Sequence, residues 1–187
     1  DYMIIVNDLR PGITFVYEDN IFTVLDTQHN KTAMRGMIIK SKVKNLRTGV
    51  INEITFTGGD KVEPAHIDKN EMQYLYDSGD ALCFMNTSTY DQIEIQKSNL
   101  EKELPFLKPN DNVTIVSYEG EILGVLLPDK VTLQIIETEP AVRGDTATSA
   151  MKNARLETGL EIRVPMFIAE GEMIIVNTVD GKYAGRA

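Results

Sequence analysis

The sequence contains no tryptophan, one cysteine and two histidines among 187 residues. Each scarcity removes a class of function. A single cysteine forbids an internal disulfide, and a reducing cytoplasm is the expected home. Cys83 lies in the apolar run "ALCFM" and reads as a core residue. Neither His29 nor His66 has a second His, Cys or carboxylate at metal-ligand spacing, so no metal site is expected. His29 reads as a strand-end or loop residue rather than a base. "RGDTATS" offers Ser and Thr without a histidine partner, which leaves a nucleophilic triad unsupported. No glycine-rich phosphate loop of the P-loop type occurs. No apolar run approaches the roughly 20 residues needed to span a bilayer. The N-terminus lacks a basic region followed by an apolar core, so no secretory signal is expected. Asp1 and Tyr2 precede Met3, the expected natural start.

An apolar content of 42% and a charged content of 25% match a folded soluble protein. The net charge of −9 argues against a general nucleic-acid coat. That charge is uneven. Residues 1–65 hold 8 cations and 8 acids, residues 66–130 hold 5 and 12, and residues 131–187 hold 6 and 8. The acids between residues 91 and 121 read as a solvated face. Against this background stands "NKTAMRGMIIKSKVKNLRTG", Asn30 to Gly49. It carries Lys31, Arg35, Lys40, Lys42, Lys44 and Arg47, and no acid occurs from Thr27 to Asn52.

Strand signals dominate the chain. "GITFVYEDNIFTVLD" reads as two strands turning at Glu18-Asp19-Asn20. Ile13, Phe15 and Tyr17 share one face by the period of two, and Phe22, Val24 and Asp26 form the matching series on the next strand. In "GMIIKSKVKNLRTGVINEITFTGGD", Lys40, Lys42 and Lys44 alternate with Ser41, Val43 and Asn45 and project from one face. Arg47-Thr48-Gly49 turns the chain, and Gly58-Gly59-Asp60 ends the following strand. A second block contains "MQYLYDSGDALCFMN", with its Ser-Gly-Asp turn, and a hairpin turning at Glu119-Gly120. Between them, "SNLEKEL" predicts a helix of about two turns, capped by Ser98 with Glu101 three residues on and stopped by Pro105. A third block follows Pro128 and ends in a hairpin at Val179-Asp180-Gly181. The expectation is all-β: three small barrels at 1–65, 66–129 and 130–187. Each alone buries only roughly 60% of its unfolded surface, so at least two should pack together.

Two readings of the basic segment stay open on composition. Lysines on an exposed strand edge defend it against pairing with another chain. Alternatively, the segment offers positive charge to phosphate, which gives salt-dependent binding without sequence readout. An acidic body behind it would limit indiscriminate adhesion to RNA.

Four stretches carry a family resemblance that covers Met3 to Ala187: "NDLRPGITFVYEDNIFTVLD", "KSKVKNLRTGVINEITFTGGDKVE", "LPDKVTLQIIETEPAVRGDTA" and "KNARLETGLEIRVPMFIAEGEMIIVNTVDGKY". Together they resemble bacterial elongation factor P. The resemblance implies an SH3-like (KOW-like) N-terminal domain followed by two OB-folds, with an elongated, tRNA-like shape. It implies a cytoplasmic, monomeric, non-enzymatic factor without cofactor, whose partners are both ribosomal subunits and peptidyl-tRNA. Such factors bind between the peptidyl and exit tRNA sites. They stimulate peptide-bond formation at polyproline stalls by positioning the CCA end, an orientation effect that supplies no chemical group.

By the same resemblance, the tip loop facing the tRNA acceptor end is Lys31, Thr32, Ala33, Met34, Arg35 and Gly36. Lys40, Lys42, Lys44 and Arg47 would contact or steer to phosphate. Arg143, Gly144, Asp145 and Thr146 match a loop that reaches toward the small subunit. One departure matters. Many family members carry Lys-Pro-Gly-Lys-Gly at the tip, and an enzyme modifies its second lysine. Here that motif falls on Lys31-Thr32-Ala33-Met34-Arg35, which puts Met34 at the acceptor position. An unmodified tip working through Met34 and Arg35, a modified Arg35 and a modified Lys31 are the three alternatives. Two competing functions are weaker. A single-strand RNA or oligosaccharide binder on the OB-folds needs aromatic platforms on a basic groove; this chain has no Trp, and its Tyr and Phe fall mostly at core-facing positions. A hydrolase using the central carboxylates has only their number in its favour.

Overall fold

The computed structural model describes residues 2–32, 36–141 and 150–187. The chain is all-β, with curled sheets, as the strand patterns require. The first sheet contains β1 (Ile4–Ile5), β2 (Thr14–Tyr17), β3 (Asn20–Thr32), β4 (Gly36–Asn45), β5 (Ile51–Thr57) and β6 (Lys61–Pro64), in the order β1-β6-β2-β3-β4-β5. The second contains β7 (Asp68–Asp77), β8 (Ala81–Asn86), β9 (Gln92–Gln96), β10 (Asn112–Tyr118) and β11 (Glu121–Leu126), in the order β11-β10-β7-β8-β9. The third contains β12 (Lys130–Thr138), β13 (Met151–Leu156), β14 (Glu161–Pro165), β15 (Met173–Asn177) and β16 (Tyr183–Arg186), in the order β14-β13-β12-β15-β16. The chain divides into two compact units, residues 1–69 with 115–124 and residues 70–114 with 125–187.

Alternation builds the cores. Phe15, Phe22, Val24, Ile39, Val43 and Phe56 meet inside the first barrel, with Ile13 and Tyr17 packed against them. The aromatic rings touch edge-on or tilted, Phe15 and Phe22 at 5.7 Å and Tyr17 and Phe56 at 5.3 Å between centroids. In the third sheet Val131, Leu133 and Ile135 of β12 point inward with Val164, Ile174 and Val176. Phe106, from the preceding block, joins that core. Cys83 is buried, as its apolar run predicts.

The tight hairpins stand where the turn residues put them. Glu18 and Asp19 link β2 to β3 with φ of 48° and 61°, the twist that a two-residue hairpin demands. Glu119 and Gly120 do the same between β10 and β11, with φ of 47° and 83°. The predicted helix does not form. Its sequence instead makes two separate 3-10 turns, Lys97–Asn99 and Leu104–Phe106, and no side-chain cap is present at either. A two-turn helix is too short to hold itself together in water. Burial of Leu100 and Phe106 decides the local path instead.

Candidate nucleic-acid interface

The basic segment forms β4 and the turn after it. β4 lies between β3 and β5, hydrogen-bonded on both sides. It is therefore not a sheet edge, and edge defence does not explain its lysines. Ile39, Ser41 and Val43 point inward and are buried, while Lys42 and Lys44 are exposed and Lys40 is half-buried on the outer face. Apolar residues on one side and the pleat on the other thus give a row of three ammonium groups on a rigid backing.

The neighbours of that row are set by register. Lys40 stands opposite Gln28 on β3 and Thr55 on β5. Lys44 stands opposite Thr23 and Ile51. Lys42, between them, faces Asp26 on one side and Glu53 on the other. Directly opposed side chains lie about 5 Å apart at Cβ, close enough for the two acids to offset the middle charge. Asp26 reaches this face because the pairing slips between Val24 and Asp26. Leu25 is the extra residue of a bulge, and the alternation after it is inverted. Without the bulge Asp26 would follow Val24 inward. Among the described residues none of the three lysines lies in an ion pair.

Lys31 does not join the row. It pairs with Met37, and by the alternation of β4 that pair belongs to the face of Ile39, opposite the three lysines. His29, paired with Ile39, lies on that same side and is exposed. Thr32 and Gly36 close the described part of the arm. Gly36 has φ of 71°, a conformation that favours glycine. Ala33, Met34 and Arg35 lie outside the described residues, as do Arg143, Gly144, Asp145 and Thr146.

Arg47 is already engaged. Asn45 shapes the turn: its side-chain oxygen accepts the amides of Arg47 at 2.9 Å and Thr48 at 3.2 Å. From there the guanidinium donates through Nε to Glu121 Oε2 at 2.7 Å and through Nη2 to Oε1 at 3.0 Å. Its third contact, Nη1 to the carbonyl of Asp19, is 2.6 Å. The Arg47 hydrogen bonds hold the Glu121 carboxyl below the usual carboxylate range, and the same bonds raise the guanidinium. A phosphate would have to displace a two-pronged carboxylate to reach it. Arg47 ties three turns of the first compact unit together, whereas Lys44 is exposed and Lys40 half-buried, neither in an ion pair among the described residues. No sequence signal marks Glu121 as its partner, because 74 residues separate them.

Among the described residues no group of three or more His, Cys, Asp or Glu side chains could hold a metal. Among the described residues no helix is long and apolar enough to cross a membrane. What the outer face can do chemically is attract and orient an anion.

Three family models match the chain in succession. The elongation factor P (EF-P) KOW-like domain matches residues 5–62, the EF-P OB domain residues 67–125, and the model described as elongation factor P, C-terminal, residues 131–186. Among solved structures, the chain is similar to eukaryotic translation initiation factor 5A from Methanococcus jannaschii. The two are 21% identical with a TM-score of 0.55, over 67% of this chain and 94% of that one. It is also similar to a translation initiation factor eif-5a family protein from Naegleria fowleri, at 18% identity and TM-score 0.54, over 67% of this chain and 98% of that one. At these identities the structural likeness speaks for the fold. A KOW-like barrel with a basic outer face, continued by OB modules, defines a translation factor. The chain belongs to the elongation factor P family.

Proposed function

We propose that this protein binds the ribosome between the peptidyl and exit tRNA sites and speeds peptide-bond formation at polyproline stalls. Proline is a rigid, poor donor and acceptor, so the reacting ends spend little time in attack geometry. A factor that holds the CCA end of peptidyl-tRNA restores that geometry and lowers the entropic barrier. It contributes no reacting group, and the ribosome remains the catalyst. In this reading the tip, residues 31–36, meets the acceptor end. Lys40 and Lys44 meet phosphate, with Lys42 partly offset by Asp26 and Glu53. The loop at residues 143–146 reaches toward the small subunit. Three barrel domains, at 1–65, 66–129 and 130–187, carry these contacts.

One observation carries the reading: in a member of this family, Lys40 and Lys44 stand on the outer face of a strand paired on both sides, opposite uncharged neighbours. The test is reconstituted translation of a triproline message. The protein is expected to accelerate that step and leave ordinary messages nearly unchanged. Equal rates with and without it on the triproline message reject the proposal.

A further inference from the structure

The arm that ends at residues 32 and 36 is held at its root by a contact that leaves less room than a side chain normally takes. The amide of Gly58 donates to the carbonyl of Met37 at 2.7 Å. A Cβ at Gly58 would lie 3.1 Å from that carbonyl oxygen, 3.2 Å from the Met37 Cβ and 3.5 Å from Asn7 Nδ2. The backbone of Gly58 is not left-handed, so the requirement there is one of space alone. Gly59 is different: its φ of 93° needs glycine for conformation.

Asn7 completes the arrangement from the other side. Its Oδ1 accepts the amide of Gly59 at 2.8 Å, and its Nδ2 donates to the sulfur of Met37 at 3.8 Å. Asn7 itself sits in a 3-10 turn, Val6–Asp8, whose Val6 amide donates to the carbonyl of Asp60 at 2.8 Å. Val6 and Leu9 are fully buried on either side of it. The turn after β5 is closed independently, with the amide of Thr57 donating to Asp60 Oδ2 at 3.1 Å. β5 stops pairing with β4 at Ile38 opposite Thr57, one residue short of Met37. On the β5 side the last support before the tip is therefore this cluster, while on the other side β3 stays paired with β4 as far as Thr32 opposite Gly36.

We propose that Gly58 and Asn7 form a brace that fixes Met37, and through it the paired strand ends, Lys31, Thr32 and Gly36, that carry the tip; both are positioning residues. The inference rests on the function proposed above, in which the tip orients the CCA end. A small misplacement of an orienting element costs rate more than affinity.

In reconstituted triproline translation, Gly58→Ala should lower the saturating rate of the stimulated step about tenfold, with the half-saturating factor concentration changed less than about twofold. Asn7→Ala disturbs the cluster without crowding it and should lower the rate about threefold. Asn7→Asp keeps the acceptor for Gly59 and should restore most of that loss. In both damaging variants, amide exchange of residues 30–32 and 36–38 should accelerate while the melting temperature stays near that of the unaltered protein. Rate and half-saturation moving in parallel overturn the brace, as does unchanged exchange at those amides in both variants. If the unaltered protein fails to stimulate, the proposed function falls, and the exchange measurement alone decides whether the brace exists.

Discussion

The first and third sheets carry similar numbers of cations and use them differently. In the third, Arg155 is paired with Glu137 at 2.7 Å and Arg186 with Glu172 at 3.2 Å. Arg186 also lies 4.6 Å over the ring of Phe167, and Arg163 donates to the carbonyl of Met151. Lys152 is buried, its ammonium given to the carbonyl of Glu139. In the first, Lys40 and Lys44 have uncharged cross-strand neighbours and no ion pair among the described residues. The difference teaches that a charge count does not locate a charged surface. Register and pairing do, because a cation already neutralised at 3 Å has little left to offer a phosphate.

Charge reversal attacks this contrast most directly. Lys40→Glu with Lys44→Glu is expected to raise the half-saturating concentration in triproline translation about tenfold or more. It should also flatten the dependence of log affinity on log salt by about two. Arg155→Gln with Arg186→Gln, which removes as many cations from the third sheet, should shift the same concentration less than about twofold. Titration of the factor at several salt concentrations checks both. Equal effects from the two pairs would remove the distinction between open and paired cations.

A smaller effect separates the two faces of β4 itself. Ser41 and Thr27 oppose each other on the inner face, and the hydroxyls of both are buried with no hydrogen-bond partner among the described residues. Such a group carries a desolvation cost without return. Ser41→Ala should therefore stabilise the protein by roughly 1 kcal/mol, read as a higher urea midpoint, without altering phosphate-dependent binding.

The smallest effect concerns Glu121. Its pKa is depressed in the folded protein, so the stability it adds is present above its unfolded value and disappears as pH falls through the folded one. The carboxyl carbon of Glu121 should titrate below the ordinary range of about 4.3, and Arg47→Gln should return it there.

Much of this was legible before any coordinates. The hairpins at Glu18-Asp19 and Glu119-Gly120 follow from local turn chemistry, and the inward set Phe15, Phe22 and Val24 follows from strict alternation. Other features depend on partners distant in the chain. The bulge at Leu25 leaves no local mark, yet it turns Asp26 outward against Lys42 and divides the row of lysines. Arg47 belongs to the same basic run, but Glu121 captures it across 74 residues. Lys31 looks like one of the set until register puts it on the opposite face. The helix expected from Ser98 onward had good capping residues and too little length, and burial of Leu100 and Phe106 prevailed. Gly58 and Gly59 read as strand punctuation, and only the approach of Met37 shows that the first answers a need for space.

The bulge at Leu25 has a geometric consequence for whatever the outer face grips. With Lys42 flanked across the strands by Asp26 and Glu53, the strand offers charge with uncharged neighbours at two points whose Cα atoms lie about 13 Å apart along the strand. Two such points can each take a separate phosphate. A body held at one anchor can pivot about it, whereas a body held at two has lost that freedom, and an RNA backbone seated on Lys40 and Lys44 would be held in direction as well as in place.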